Sequence, residues 1–255
     1  MERQVLHTDM SFDTDALAAR LPEGAIRYLC HAIRPGAPIA RSVQIDFHGR
    51  LRMQPRWRWL PFSAHQEVQG GHGFQFEARA WLGPLPVTTE EQYDGNEAYS
   101  RIRLLGLIPV STKAGPDVQR AARQRLLVES IWLPSAFLPE SGATWSEQNG
   151  QLRLTVPVHG EEVEARLRIG PAGELRELHI KRWSDLTDDS NYAWIPFAAQ
   201  IAAERTFGDY TIPSEVQATW WAGTEREFAF FRATVDNATF AQGSAAHSGL
   251  HRHRN

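Results

Sequence analysis

The sequence predicts a mainly β protein, an incompletely closed antiparallel β-barrel with a central helix and an N-terminal helix. From Ala40 onwards, runs of alternating apolar and polar residues follow one another with Gly- and Pro-rich turns between them, which is typical of antiparallel hairpins. Only two segments show helical spacing instead. The 255 residues include nine tryptophans, whose size favours a wide aromatic interior.

The first helical segment is predicted between residues 14 and 34. Asp13 or Thr14 can cap its start, and Pro22 interrupts or restarts it. Apolar side chains then recur at positions i, i+3, i+4 and i+7, which predicts one buried face; they belong to Ile26, Leu29, Cys30 and Ile33. Residues 1–13, which precede this segment, are assigned to a flexible N-terminus.

Strands are predicted in two blocks that flank the central helix. Val43, Ile45 and Phe47 alternate with polar residues, which indicates a half-buried strand. Further strands of the first block are predicted at 62–69, 74–82, 85–94 and 98–105. Those of the second block are predicted at 143–147, 151–158, 162–169, 174–182, 194–206, 210–221 and 226–235.

The central helix is predicted over residues 116–131. Pro116 fits its first turn, and Asp117 suits the positive end of the helix dipole. We therefore expect a single β-barrel-like domain at 14–240. Residues 241–255 are rich in Gly, Ser, Ala and His without a periodic pattern, which predicts a disordered tail.

Composition argues against several classes of protein. The net charge of −3 gives no indication of nucleic-acid binding. No window approaches the ~20 apolar residues of a membrane span, and residues 1–15 lack the apolar run of a secretory signal, so we expect a cytoplasmic protein. The nucleotide-binding, serine-hydrolase and zinc-protease motifs are absent from the sequence, and we expect neither a cofactor nor a metal site.

Three residues are candidates for proton transfer. His65 would act as a base if its strand face points inward, and otherwise is an exposed histidine beside Glu67. Glu129 lies near apolar residues that would raise its pKa, although a pair with Arg125 is the structural alternative. Asp117 stands at the start of the central helix, where an anion could also bind.

The aromatic residues are the main candidates for ligand binding. They either fill the core of a wide barrel or line a pocket for an apolar ligand. Arg205 would hold a ligand carboxylate or phosphate, or would pair across strands with a glutamate. The full candidate set is Trp59, Phe62, Trp81, Trp132, Trp183, Trp194, Arg205 and Trp220.

Several motifs give the chain a wider resemblance. They are RYLxHAIxPGxP at 27–38, WLPFSAHQ at 59–66, GPDV at 115–118, ESIWLP at 129–134, RTFGDYTIPS at 205–214 and WWxGT at 220–224. On these motifs the chain resembles a bacterial family of unknown function over residues 27–235. Its order of strands and helices is more distantly similar to that of the periplasmic lipoprotein carriers. That similarity implies an unclosed antiparallel barrel with an apolar concave face that receives acyl chains.

The aromatic content and this resemblance lead to one main expectation. We expect a binding protein for a hydrophobic small molecule, such as a lipid or a polyketide-like metabolite. The alternative is a cofactor-independent isomerase, cyclase or hydrolase that acts on an apolar substrate in the same cavity. A third possibility is an interaction scaffold that uses an exposed sheet edge.

Overall fold

A computed structural model describes residues 11–242, in which antiparallel strands form one continuous sheet. The strands are β1 (Ser42–Leu51), β2 (Leu60–Gln69), β3 (Gly73–Leu82), β4 (Leu85–Tyr93), β5 (Ala98–Leu104), β6 (Ile108–Ala114), β7 (Thr144–Gln148), β8 (Gln151–Val158), β9 (Glu161–Ile169), β10 (Leu175–Ser184), β11 (Ala193–Phe207), β12 (Tyr210–Trp220) and β13 (Phe228–Ala241). Their order across the sheet is β6-β5-β4-β3-β2-β1-β13-β12-β11-β10-β9-β8-β7. Each block predicted from the sequence is a meander, and the pairing of β1 with β13 joins the two.

The helices lie within the two segments that were predicted to be helical. They are α1 (Asp15–Ala18), α2 (Glu23–Ala32) and α3 (Pro116–Glu129), and three short 3-10 helices follow α3 at Ser130–Trp132, Pro134–Phe137 and Pro139–Ser141. Pro22 separates the first two helices, because a proline is accepted at a helix start and not in its interior. Gly115 precedes α3 with a φ of 105°, a conformation that glycine adopts without strain.

Two predictions fall partly outside the described residues. These are the flexible N-terminus, of which residues 1–10 lie outside, and the tail, of which residues 243–255 lie outside. Within the described part, Phe12 is buried, and its amide donates to the carbonyl of Ala37 over 2.8 Å. Ala241 belongs to the end of β13.

The sheet curves around α3, because this helix contacts β5 and β6 from one side of the sheet order and β9 and β10 from the other. We call the side that faces α3 the concave face and the opposite side the convex face. Edge strands β6 and β7 are not neighbours in the sheet, so the barrel is open. The predicted class is therefore confirmed: a mainly β fold with an incompletely closed antiparallel barrel and a central helix.

Strand β1 shows why alternating sequence produces this arrangement. Val43, Ile45 and Phe47 are 0%, 0% and 2% exposed, and they face the interior because successive side chains of a strand point to opposite sides. Their polar neighbours Gln44 and Asp46 are exposed on the convex face.

Gly49 lies at a close approach between the two blocks. A Cβ atom at this position would lie 1.9 Å from the carbonyl oxygen of Arg232 in β13. The backbone of one strand would have to move, so we expect Gly49→Ala to lower the free energy of unfolding by about 3 kcal/mol, the upper end of overpacking effects. Urea denaturation followed by circular dichroism measures this change.

Gly24→Ala in α2 is the matched control. A Cβ there would meet Glu147 and Leu152 side chains at 3.6 Å, an ordinary contact, and alanine is the better helix former by about 1 kcal/mol. Equal effects of the two substitutions would contradict the close pairing of β1 with β13.

Candidate functional site

The two halves of the concave face differ in how they are covered. Near one end of the strands, Val43, Val68 and Tyr93 are 0–1% exposed beneath the helical segments. Towards the other end, apolar side chains with the same inward register remain partly exposed, which means that no described element fully covers them. These residues, which define the open half of the concave face, include Leu51, Leu60, Val87, Ile102, Leu104, Phe230 and Phe231.

A row of aromatic rings lines this open half. Phe197 pairs with Trp220 across β11 and β12, and Phe231 lies opposite Ala218. A register shift between Ala218 and Thr219 brings Phe230 as well as Phe231 to the same cluster. Consecutive ring centroids are 5.1–6.1 Å apart along Phe197, Trp220, Phe230, Phe231 and Phe62; we call these five side chains the aromatic trough.

Arg182 lies at the β10 end of the aromatic trough. Its register opposite Ile195 turns it inward, and its guanidinium carbon is 4.8 Å and 4.9 Å from the ring centroids of Phe197 and Trp220. The Nε atom is sealed from solvent and has no hydrogen-bond partner within residues 11–242. Cationic groups stack favourably on aromatic rings, but ring faces do not replace hydrogen-bond acceptors.

The charge of Arg182 is held at an energetic cost. Desolvation, and then the positive charge of Arg125, lower its pKa from the ordinary value of an arginine to about 9, while the carboxylate of Glu129 acts in the opposite direction. Because this value lies above neutrality, Arg182 is a cation at neutral pH. It is therefore a largely desolvated positive charge whose Nε donor has no partner among the described residues.

Arg125 on α3 has the carboxylate partners that Arg182 lacks. Its guanidinium lies over Phe74 and Phe76, with 4.7 Å and 4.9 Å to the ring centroids. It forms an ion pair with Glu91, and its Nε donates to Glu129 over 2.8 Å. The side chain of Glu129 is 11% exposed, so this carboxylate is buried together with its partner.

Three of the residues predicted from the sequence lie in or near this site, and a fourth lies in the core. Phe62 and Trp220 are members of the aromatic trough, and Glu129 borders Arg125 and Arg182. Trp132 lies in the packed core, where it is 4% exposed, stacks on Phe47 and donates to the carbonyl of Pro213.

A second group of predicted residues lies at the start of α3. The indole of Trp183 donates to Asp117 over 2.8 Å, and Arg120 covers its ring. Trp194 packs edge-on against Trp183 and is 48% exposed. Asp117 and Glu129 are twelve residues apart on one helix, which at 1.5 Å per residue separates them by about 18 Å.

The remaining predicted residues do not face the aromatic trough. His65 is opposite Asp46 in the register and bonds to it over 2.7 Å on the convex face. Trp81 is 41% exposed, Trp59 lies between the guanidinium groups of Arg52 and Arg232, and Arg205 donates to the carbonyl of Val235. The structure therefore does not bring the three acid–base candidates together.

Arg182 itself was missed, although the sequence contains a signal for it. It continues the inward series of Leu178 and Ile180, both buried, on a strand whose intervening residues His179 and Lys181 are exposed. An arginine at an apolar position of an alternating strand is unusual, because arginine is rarely buried without a partner.

Residues 11–242 lack two features that would indicate other functions. In this part of the chain, no helix is both long enough and apolar enough to cross a membrane. The same residues contain no group of three or more His, Cys, Asp or Glu side chains placed to hold a metal ion.

The open sheet and its aromatic trough define a mainly β protein with an accessible apolar concave face. The chain belongs to the family of unknown function DUF6544, whose model matches residues 11–233. This match confirms the resemblance to a family of unknown function that the motifs predicted.

Solved structures give two further similarities. One is described as an outer membrane lipoprotein-sorting protein domain from Vibrio parahaemolyticus, with a TM-score of 0.43 and 8% identity over 80% of this chain and 86% of that one. The other is a LolA superfamily protein from Nitrosomonas europaea, with a TM-score of 0.44 and 7% identity over 84% and 90% of the two chains. No curated protein matches the sequence.

Proposed function

We propose that the protein binds an apolar small molecule in the aromatic trough. The observation that carries the proposal is the row of five aromatic side chains on a half of the concave face that no described element fully covers. Phe230 and Phe231 remain partly exposed there, while the other three rings, Phe62, Phe197 and Trp220, are 3%, 2% and 7% exposed. Leu51 and Leu60 of the same half are also partly exposed, and an apolar surface that stays open to solvent next to a packed core is characteristic of a binding groove.

Binding in this position would be stabilised because it removes two apolar surfaces from water, that of the ligand and that of the trough. Each Å² of apolar surface removed from water contributes roughly 25 cal/mol, and aromatic rings add specific contacts with flat or unsaturated groups. The trough is also continuous with the core through the contact between Phe62 and Phe47, so its rings are held by well-packed neighbours.

The turns at the same end of the sheet supply an apolar border. Successive hairpins place the β1–β2, β3–β4 and β5–β6 turns at one end, since each pair is antiparallel. Trp57 and Leu107 lie in these turns and Leu82 ends β3 beside one of them, and they are 53%, 83% and 54% exposed. An apolar molecule that enters the trough from this end would first contact these apolar side chains.

The positions of the acid–base candidates favour binding over catalysis. His65 lies on the convex face and Asp117 is bonded to Trp183. Glu129 is the one of the three that borders the trough, and its carboxylate already accepts a hydrogen bond from Arg125. A catalytic base must reach the proton that it removes, and this arrangement places two of the three elsewhere.

Native mass spectrometry of the freshly purified protein, followed by denaturing extraction, is the first experiment. A co-purified apolar molecule would support the proposal and give its chemical class. Binding is then measured on the stripped protein with the neutral fluorescent probe N-phenyl-1-naphthylamine, which brightens in apolar surroundings. We expect saturable binding by the wild type.

A pair of matched variants locates the bound probe. Phe231→Asp places a charge in the trough and is expected to weaken probe binding at least about tenfold, because desolvating a carboxylate is costly. Trp81→Asp introduces the same charge in place of an aromatic residue on the convex face and should leave binding unchanged. Equal binding by Phe231→Asp and the wild type would overturn the proposal.

A further inference from the structure

We propose that the ligand is an apolar acid and that Arg182 binds its carboxylate. This inference rests on the proposed function and adds the chemical class of the ligand. It is carried by the position of one cationic side chain, which lies inside an otherwise apolar and aromatic site.

The hydrogen bonding of Arg182 provides the first argument. A guanidinium has five N–H donors in a planar fork that matches the two oxygens of a carboxylate. The Nε of Arg182 is buried without a partner in the described chain, and its guanidinium lies against the rings of Phe197 and Trp220. Buried polar groups are normally hydrogen-bonded, so an unpaired buried donor at the edge of a ligand site points to an acceptor on the ligand.

The carboxylates of residues 11–242 do not fill this role. Glu129 is the carboxylate whose charge acts on Arg182, but its hydrogen bond is to Nε of Arg125. Glu91, the second carboxylate of the cluster, also pairs with Arg125. Together the two arginines and two glutamates balance in charge, but both carboxylates contact the same arginine, and Arg182 is left with unused donors.

The surrounding rings suggest the orientation of the ligand. From Arg182 the aromatic trough runs through Trp220 and Phe230 to Phe231 and Phe62, in steps of 5.1–6.1 Å between centroids. A carboxylate at Arg182 would therefore place an attached apolar chain or ring system along these side chains. Phe197 and Trp220 pack against the guanidinium, and such packing restricts its motion, which reduces the entropy lost when the acid binds.

Displacement of N-phenyl-1-naphthylamine from the stripped protein tests this inference. Dodecanoic acid and methyl dodecanoate have the same chain, but only the acid is charged at pH 7.5. We expect the wild type to bind the acid about 10- to 100-fold more tightly than the ester, the range of a charge-assisted hydrogen bond.

Variants of Arg182 assign this preference to one side chain. Arg182→Met should lose the preference that the wild type shows for the acid over the ester. Arg182→Lys keeps the charge without the planar fork and should retain part of the preference. Lys181→Met removes a neighbouring exposed cation and should retain all of it. Arg182→Gln serves as the neutral variant if Arg182→Met does not fold.

The outcomes separate this inference from the proposed function. Probe binding without discrimination between acid and ester by the wild type would overturn the role of Arg182 and leave apolar binding intact. Retention of the full preference by Arg182→Met would also overturn it, since another cation would then hold the carboxylate. Failure of the wild type to bind any probe would instead contradict the proposed function.

Discussion

Replacing Trp132 with alanine is expected to lower the free energy of unfolding by about 3–5 kcal/mol. Trp132 follows α3 directly and is 4% exposed. Its ring stacks on Phe47 of β1 at 5.7 Å between centroids, and its indole donates to the carbonyl of Pro213 in β12 over 3.1 Å. The substitution would leave a cavity and an unpaired buried carbonyl where the central helix joins both strand blocks.

This loss is a large fraction of the stability of an ordinary domain, which is about 5–15 kcal/mol. Urea denaturation followed by circular dichroism measures it, and the midpoint of thermal unfolding should fall by roughly 10 °C. Trp132→Phe keeps a ring and should lie between alanine and the wild type. Trp57→Ala removes a side chain that is 53% exposed and should change stability by less than about 0.5 kcal/mol. A similar effect of Trp132→Ala and Trp57→Ala would contradict the packing described here.

The strands whose alternation is regular could be predicted from the sequence. Val43, Ile45 and Phe47 in β1 and Leu152, Leu154 and Val156 in β8 are all buried, because an interior on one side imposes a period of two. Strand β6 (Ile108–Ala114) was missed. Its Ile108 and Val110 are 54% and 62% exposed, and its second residue is Pro109, which is a weak strand residue.

The sequence could not assign the tryptophans to their surroundings. Trp132 lies in the core, Trp220 lines the trough and Trp81 lies on the convex face, although each occurs in an apolar segment of similar composition. The side of a strand that a residue faces depends on register, and a shift of one residue exchanges the two faces. The register shift beside Thr219, which brings both Phe230 and Phe231 to the trough, has no signature in the local sequence.

The case of Arg182 is different, because its position could be predicted but its meaning could not. The alternation of Leu178 and Ile180 with exposed residues places Arg182 inward. Whether an inward arginine has a carboxylate partner depends on residues far away in the chain, here Glu91 and Glu129. Only the folded arrangement reveals that both of these carboxylates contact Arg125.

Replacing Arg182 with methionine is therefore expected to stabilise the ligand-free protein, by about 1–3 kcal/mol. Methionine fills similar space between Phe197 and Trp220 without a desolvated charge, and replacing buried ionic groups by apolar ones is often stabilising by this amount. The exposed substitution Lys181→Met is the matched control and should change stability by less than about 0.5 kcal/mol. Lower stability of Arg182→Met would mean that the charge is already compensated in the ligand-free protein.

Because the charge of Arg182 is desolvated on folding, the stability gained in Arg182→Met should depend on pH, and the direction of this dependence can be predicted. Burial lowers the pKa of Arg182 from its ordinary value to about 9 on folding, so between pH 9 and that ordinary value the unfolded chain binds more protons and wild-type stability rises with pH. The advantage of Arg182→Met should be complete below about pH 9 and should shrink above it. A saturating apolar acid should reverse the order of the two proteins at neutral pH, since a ligand stabilises the state to which it binds. Thermal unfolding of both proteins at pH 7.5 and pH 10, with and without dodecanoic acid, measures both changes. If both are observed, the ligand that Arg182 binds explains why an arginine is present there at a cost in stability.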